Sequence, residues 1–403
     1  MTATRIGRLA TLAVAALVWA VAAVLLWRTR VPSDLRLPSL DARAVFGASA
    51  VRAGEHYERF LNYNWLLGTL ATLTALVVMV WRAPRLARSL GLGPVNSGIV
   101  TGIVVTTVVW AVSLPFGIAS AWWQRRHGIS KQGWDEIVFS PWGVLLGQTA
   151  GTVVVLAILL LFAKRYARNW WLAAGIVLLL LGFCLQFVLP YANRLGTHPV
   201  RSPQLTATIK RLEAREGAGH PTVRIEPVHD QTTAANAYAI GLGPSKTVFI
   251  WDTMLDGRFT TREVHFVVGH ELAHHARLHL WKGIGWGALI GLPILAAVAF
   301  VTRRRGGLLV PGGIALALLT ITALQLALSP FTNAVSRRYE AEADWVGMQG
   351  TKDPQAAKGL FKEFVVTDLQ DPAPPGWAHI FLDDHPTPLT RVEQADAFER
   401  LNR

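Results

Sequence analysis

The 403-residue chain holds a single cysteine, Cys184, and it lies inside an apolar run. An intramolecular disulfide and a cysteine-built zinc finger are both excluded. Charge is also scarce, at 16% of residues, well below the roughly one quarter usual in soluble domains. Acidic residues are the scarcer kind, 26 against 39 lysines and arginines, for a net charge of +13. Such a surplus can mark nucleic-acid binding, but here the basic residues are scattered at the ends of apolar runs, as membrane-flanking anchors are. No nucleic-acid partner is expected. Apolar residues make up 52% of the chain and the mean hydropathy is positive. This composition reads as an integral membrane protein whose first partner is the lipid bilayer.

Seven uncharged stretches have the roughly 20-residue length that crosses a bilayer: Leu9–Trp27, Asn64–Trp81, Gly98–Ala119, Trp142–Ala163, Trp170–Tyr191, Gly283–Thr302 and Gly307–Leu328. Tryptophans gather at their edges, as at Trp27, Trp81, Trp142 and Trp170, where an amphipathic ring suits the interface. Two polar regions remain. The first, 192–281, joins the fifth and sixth spans, and the second, 331–403, follows the seventh. Within the first, 202–217 has the pattern of an amphipathic helix ended by Gly217. "TVRIEPV" and "KTVFIWD" alternate like strands, and 261–280 reads as one helix with Thr260 or Thr261 as its cap.

That last helix carries five histidines, at 265, 270, 274, 275 and 279. Each helical residue turns about 100°, so His270 and His274 nearly share a face, whereas His275, His279 and His265 point elsewhere. Those three are expected at the membrane interface or in solvent. Only the 270/274 pair has a glutamate directly after its first member, which makes His270-Glu271-Leu272-Ala273-His274 an HExxH arrangement. Two imidazoles one turn apart aim at one tetrahedral zinc ion. Zinc lowers the pKa of a bound water from about 16 to roughly 7, and Glu271 stands beside the first ligand to take the proton as general base. A third ligand is required, and "SRRYEAEADWVG" (336–347) offers Glu340, Glu342 and Asp344. Two spans separate this segment from the HExxH helix, so both emerge on one face of the membrane.

These residues resemble the integral-membrane zinc metalloproteases of the CAAX prenyl endopeptidase type, with HtpX-type bacterial proteases as more distant relatives. "NAYAIG" (236–241), "VGHELAHH" (268–275), "SRRYEAEAD" (336–344) and "HPTPLTR" (385–391) match in order, and "WDTML" (251–255) resembles the strand end before the zinc helix. The resemblance implies that Glu340 is the third ligand of one zinc per chain and that Asp344 orients a ligand imidazole. It further implies that His385 stabilises the tetrahedral oxyanion, with Arg391 holding its segment. It implies a mainly α, polytopic fold of seven transmembrane helices with a zincin-like α+β catalytic domain. The expected units are spans one to five (1–191), a catalytic domain (192–281), spans six and seven (282–330) and a C-terminal catalytic segment (331–403). Asn236 and Tyr238 lie on an expected edge strand, where an extended peptide substrate would pair.

The expected activity is hydrolysis of peptide bonds in membrane-associated or amphipathic substrates. The composition, rich in Ala, Gly, Leu and Arg, suggests a high-GC bacterium and hence its cytoplasmic membrane. A metal-handling or transport protein is the first alternative. It would need ionisable groups along its path, and the seven spans contain no Asp, Glu, Lys, Arg or His. A protease-like scaffold without catalysis is the second, but the base and the ligand set are all present.

Overall fold

The structure, a computed structural model, describes residues 3–402, with side chains followed from Ala13 onward. It begins with α1 (Ala3–Trp27), α2 (Ala42–Phe46) and α3 (Ala48–Ser89), then α4 (Pro94–Arg126), α5 (Trp134–Arg165) and α6 (Trp170–Asn193). A mixed region follows: β1 (His198–Pro199), α7 (Pro203–Glu216), β2 (Thr222–Glu226), β3 (Ala237–Ile240), β4 (Thr247–Trp251) and α8 (Thr261–Ala276). The chain then forms α9 (His279–Arg303), α10 (Gly313–Thr351), α11 (Pro354–Thr367), α12 (Gly376–Phe381) and α13 (Pro388–Leu401).

Six helices among the described residues, α3, α4, α5, α6, α9 and α10, are long and apolar enough to cross a membrane. Their outward faces carry exposed Leu67, Leu161, Leu180, Val188 and Phe300, as a lipid-facing surface requires. The first expected span falls in α1, where Ala13–Trp27 is apolar and the side chains before it lie outside the described residues. The expected start of the last span at Gly307 is corrected to Gly313. Gly306, Gly307 and Gly312 all have positive φ, and a Cβ on Gly312 would stand 2.7 Å from the Pro84 ring. This stretch is therefore a turn packed on α3.

Several helices run past the membrane. α3 starts at Ala48, well before its apolar stretch, and α10 continues from span to site without a break. On α10, Glu340 stands 12 residues beyond Leu328, or about 18 Å along the axis at 1.5 Å per residue. The polar half is assembled from β1 to α8, the end of α10, and α11 to α13. Residues Leu205, Val248, Ile250, Phe266, Leu272, Met348 and Phe361 form its core, and Val31, Leu35, Leu40 and Phe46 pack against it from the segment after α1.

Its sheet has the order β1-β2-β4-β3. β4 is buried along Thr247, Val248, Phe249 and Ile250. It pairs parallel to β2 and antiparallel to β3, which leaves β3 with one unpaired edge. Two local signals hold α7 and α8 in place. Ser202 caps α7 and Gly217 closes it in the left-handed conformation. Thr260 and Glu263 form a reciprocal capping box at the start of α8, each side chain accepting from the other's backbone N–H.

Candidate metal centre

α8 and α10 cross backbone to backbone where Gly269 meets Gly347. A Cβ on Gly347 would lie 3.0 Å from the His270 nitrogen, and one on Gly269 would lie 3.3 Å from the Gly347 Cα. The absence of side chains at the crossing lets the HExxH face approach the acidic face of α10. His270, His274 and Glu340 then offer ligand atoms that all lie within 4.8 Å of one another.

The spacing of the donors tests whether a metal fits. His270 Nε2 stands 3.2 Å from His274 Nε2 and 3.1 Å from Glu340 Oε2, and His274 Nε2 stands 3.4 Å from Glu340 Oε1. Two donors each about 2.0–2.1 Å from a tetrahedral zinc ion are about 3.3 Å apart, so all three edges suit one. Glu340 Oε2 is buried and has no hydrogen-bond partner of acceptable geometry, as expected of an oxygen whose lone pair is aimed at a cation. His270 places Nδ1 2.9 Å from Asp344 Oδ1. A carboxylate accepts, so Nδ1 carries the proton and Nε2 is left with its lone pair toward the other donors.

Asp344 is in turn clamped by Arg391, whose Nε and Nη2 donate to it at 2.8 and 2.6 Å. The guanidinium lies 4.1 Å from the centroid of Phe361. Arg391 on α13 thus ties the C-terminal segment to the aspartate that orients His270. His385, just before α13, puts Nε2 3.2 Å from Glu340 Oε2 and Nδ1 2.7 Å from Asp384 Oδ1. Burial works against its charge, but the Asp384 and Glu340 carboxylates outweigh burial and raise its pKa to about 9. Glu271 is buried beside His270. Burial pushes its carboxyl up to about 7, with the Glu340 charge adding and His270, His385 and Arg391 opposing.

A cavity of about 490 Å³ joins these groups. His270, Glu271, His385 and Arg391 line it together with Asn236, Ala237 and Trp251. Glu58 of α3 with Asp371, Asp383 and Asp384 adds carboxyl groups to its lining. Asn236 accepts the Ala237 N–H on its Oδ1, which leaves its NH2 free to donate. Tyr238 is not brought to this cavity. Its hydroxyl donates to Glu226 Oε2 at 3.0 Å and its ring stacks on Phe249. Alternation along β3 turns the Tyr238 side chain to the face opposite Ala237, which lines the cavity.

Two of the other histidines depart from expectation. His275 is buried, its Nε2 3.4 Å from the Thr247 carbonyl, and His279 is buried with its Nδ1 3.0 Å from His274 Nδ1. The expected single helix over 261–280 is broken. α8 ends at Ala276, Leu278 takes the left-handed conformation (φ 57°), and α9 starts at His279. The break lets Arg277, His279 and Lys282 converge on the fully buried Glu342, at 2.8, 3.0 and 3.3 Å. On an unbroken helix, residues 279 and 282 would point about 200° and 140° away from 277. Sequence reasoning placed His279 at the interface or in solvent and offered Glu342 only as a candidate ligand, so it missed their contact. The available signal was an acid two residues after Glu340 with no assigned partner.

The chain is similar in sequence and in fold to known proteins. The model of peptidase family M48 matches residues 199–399. The chain is 30% identical over 251 residues to the uncharacterized metalloprotease YhfN of Bacillus subtilis, a match that spans 59% of this chain and 58% of that relative. It is 24% identical over 409 residues to the CAAX prenyl protease 1 homolog of Oryza sativa, covering 91% of each. The crystal structure of Ste24p from S. mikatae superposes with a TM-score of 0.72 at 16% identity, covering 95% of this chain and 97% of that one.

Proposed function

Because this chain belongs to peptidase family M48, we propose that it is a membrane-embedded zinc metalloendopeptidase acting on membrane-associated or amphipathic peptide and protein substrates. One observation carries the reading: the ligand His270, the carboxylate of Glu271 and the imidazole of His385 line one cavity together with the edge-strand end at Asn236 and Ala237. His270, His274 and Glu340 hold one zinc ion per chain. When bound, that ion acidifies a water and polarises the scissile carbonyl.

The residues of the chain do the rest. Glu271 takes the proton from the attacking water and returns it to the leaving amine. His385, kept protonated by Asp384, donates to the oxyanion that develops on the carbonyl. Asp344 and Arg391 fix the His270 ring. An extended substrate adds to the free edge of β3, with the Asn236 NH2 donating to its backbone. The chain is an integral, multi-pass membrane protein, and we read the membrane as the bacterial cytoplasmic one. The site lies where α8 turns into α9, so substrates arrive from the bilayer surface.

The test is Glu271→Gln in the purified full-length protein. The variant should bind zinc as the wild type does, since residue 271 is not a ligand. Its peptidase turnover should fall about 10²–10⁴-fold, the usual contribution of a general base. Wild-type turnover in this variant removes Glu271 from the mechanism. Zinc loss in Glu271→Gln equal to that in His270→Ala removes the ligand assignment.

A further inference from the structure

His274 Nδ1 stands 3.0 Å from His279 Nδ1, and His279 Nε2 stands 3.0 Å from Glu342 Oε2. The direction of each bond follows from chemistry. Glu342 is a carboxylate gripped by Arg277 and Lys282, so it can only accept, and His279 Nε2 carries a proton. A neutral His279 then has a bare Nδ1, which accepts from His274 Nδ1–H. His274 is thereby left with its lone pair on Nε2, the atom that faces His270 and Glu340.

The His279 ring is also held in orientation. It stacks on Tyr339 with centroids 4.7 Å apart and planes 9° from parallel. The Tyr339 hydroxyl donates to the Leu26 carbonyl at 2.7 Å and accepts from Trp286 Nε1 at 2.9 Å. The segment leaving α1 is bound at three further points. Arg338 Nε donates to the Trp27 carbonyl at 2.7 Å and Lys282 Nζ to the Arg28 carbonyl at 3.1 Å. The Arg30 N–H donates to Glu342 Oε1 at 2.9 Å. One buried carboxylate therefore touches both the partner of a metal ligand and the chain leaving the first helix.

We infer that His279 and Glu342 are positioning residues that fix His274 as an Nε2 ligand, and that the segment Leu26–Arg30 is part of the same device. This rests on His274 being a metal ligand. Asp344 does the same for His270 from the other side, so each imidazole has its own carboxylate, one reached directly and one through a second imidazole.

The experiment measures Zn2+ affinity by chelator competition, and the visible spectrum of the Co2+ form, on full-length protein in detergent. Glu342→Gln gives His279 an amide NH2 that can reverse the donor order. His279→Phe keeps the aromatic stack on Tyr339 but removes both nitrogens. Each should weaken Zn2+ binding about 10–100-fold, the usual effect of losing an outer partner of a ligand, and should alter the Co2+ spectrum. Arg30→Pro, which deletes the donor N–H along with the side chain and fixes φ, should shift affinity in the same direction by less. Melting of the metal-free proteins reports folding. Should Glu342→Gln fail to fold, His279→Phe carries the test. Wild-type affinity and an unchanged Co2+ spectrum in a folded variant overturn the relay, and wild-type affinity in Arg30→Pro removes the α1 segment from it. His274→Ala is the separate arm: if it binds Zn2+ as tightly as wild type, the metal-site reading itself fails.

Discussion

The helix crossing at Gly347 makes a demanding prediction. In Gly347→Ala the new methyl carbon would lie 3.0 Å from the His270 nitrogen and 3.3 Å from the Gly269 carbonyl carbon and the His270 Cα. Ordinary contacts between such atoms are about 3.5–4.0 Å, so α8 and α10 must part by about 0.5 Å. The atoms in the way are helical backbone and cannot swing aside. Overpacking of this kind costs about 1–3 kcal/mol. His270 rides on α8 and Glu340 on α10, so the parting opens the 3.1 Å edge between them. The metal-free protein relieves the strain by letting the helices separate, whereas a bound metal draws them back together. The strain therefore appears as weaker metal binding, about 5- to 150-fold for 1–3 kcal/mol. Chelator competition for Zn2+ and thermal melting with and without metal measure it. Gly151→Ala on α5 is the control, since nothing lies within 4 Å of a Cβ there. If Gly347→Ala binds Zn2+ and melts as the wild type does, the crossing does not set the ligand geometry.

Three further outcomes are expected. Peptidase rate against pH should be bell-shaped. It rises with pH as Glu271, at about 7 or lower once a dication is bound beside it, loses its proton, and it falls as His385, at about 9 or lower, loses the proton it donates; a flat profile across both limbs would contradict these roles. Arg391→Met leaves Asp344 buried without its cation, so stability should drop by about 3–5 kcal/mol as for a broken buried pair, and Arg391→Lys should recover only part, since Lys cannot make the two-point contact; full recovery by lysine argues against the clamp. Glu216 at the end of α7 has both carboxylate oxygens buried without a partner, and burial raises its pKa to about 9. Its folded-state pKa lies above the unfolded value, so the stability linked to its proton is complete below about 4.5 and is lost as pH climbs toward 9. Glu216→Gln should therefore gain on the wild type in melting temperature between pH 5 and pH 9, and an unchanging difference would refute the buried neutral carboxyl.

The sequence alone determined what depends on spacing along one element. Apolar run length is set by bilayer thickness, so six of the seven expected spans were legible, the last of them with its start moved by the glycine turn from 307 to 313, while the first falls in α1, of which only Ala13–Trp27 is followed as an apolar stretch. The i,i+4 relation of His270 and His274 is fixed by helical pitch, and the cap residues Ser202 and Thr260 act on backbone within three residues. Tertiary structure decided what depends on where elements meet. Which acid of 336–347 faces the imidazoles turns on the rotation of α10 at the Gly269–Gly347 crossing. That rotation sends Glu340 to the two imidazoles and Asp344 to His270 and Arg391. The fate of His279 turned on one residue. Helical periodicity carried through Leu278 puts it on the far side of the HExxH helix, but a left-handed residue at 278 swings it back onto His274. A buried carboxylate needs several donors at once, and no regular helix can present 277, 279 and 282 to the same point. The break answers a demand made by Glu342, 60 or more residues away in the chain, and a local pattern carries no record of it.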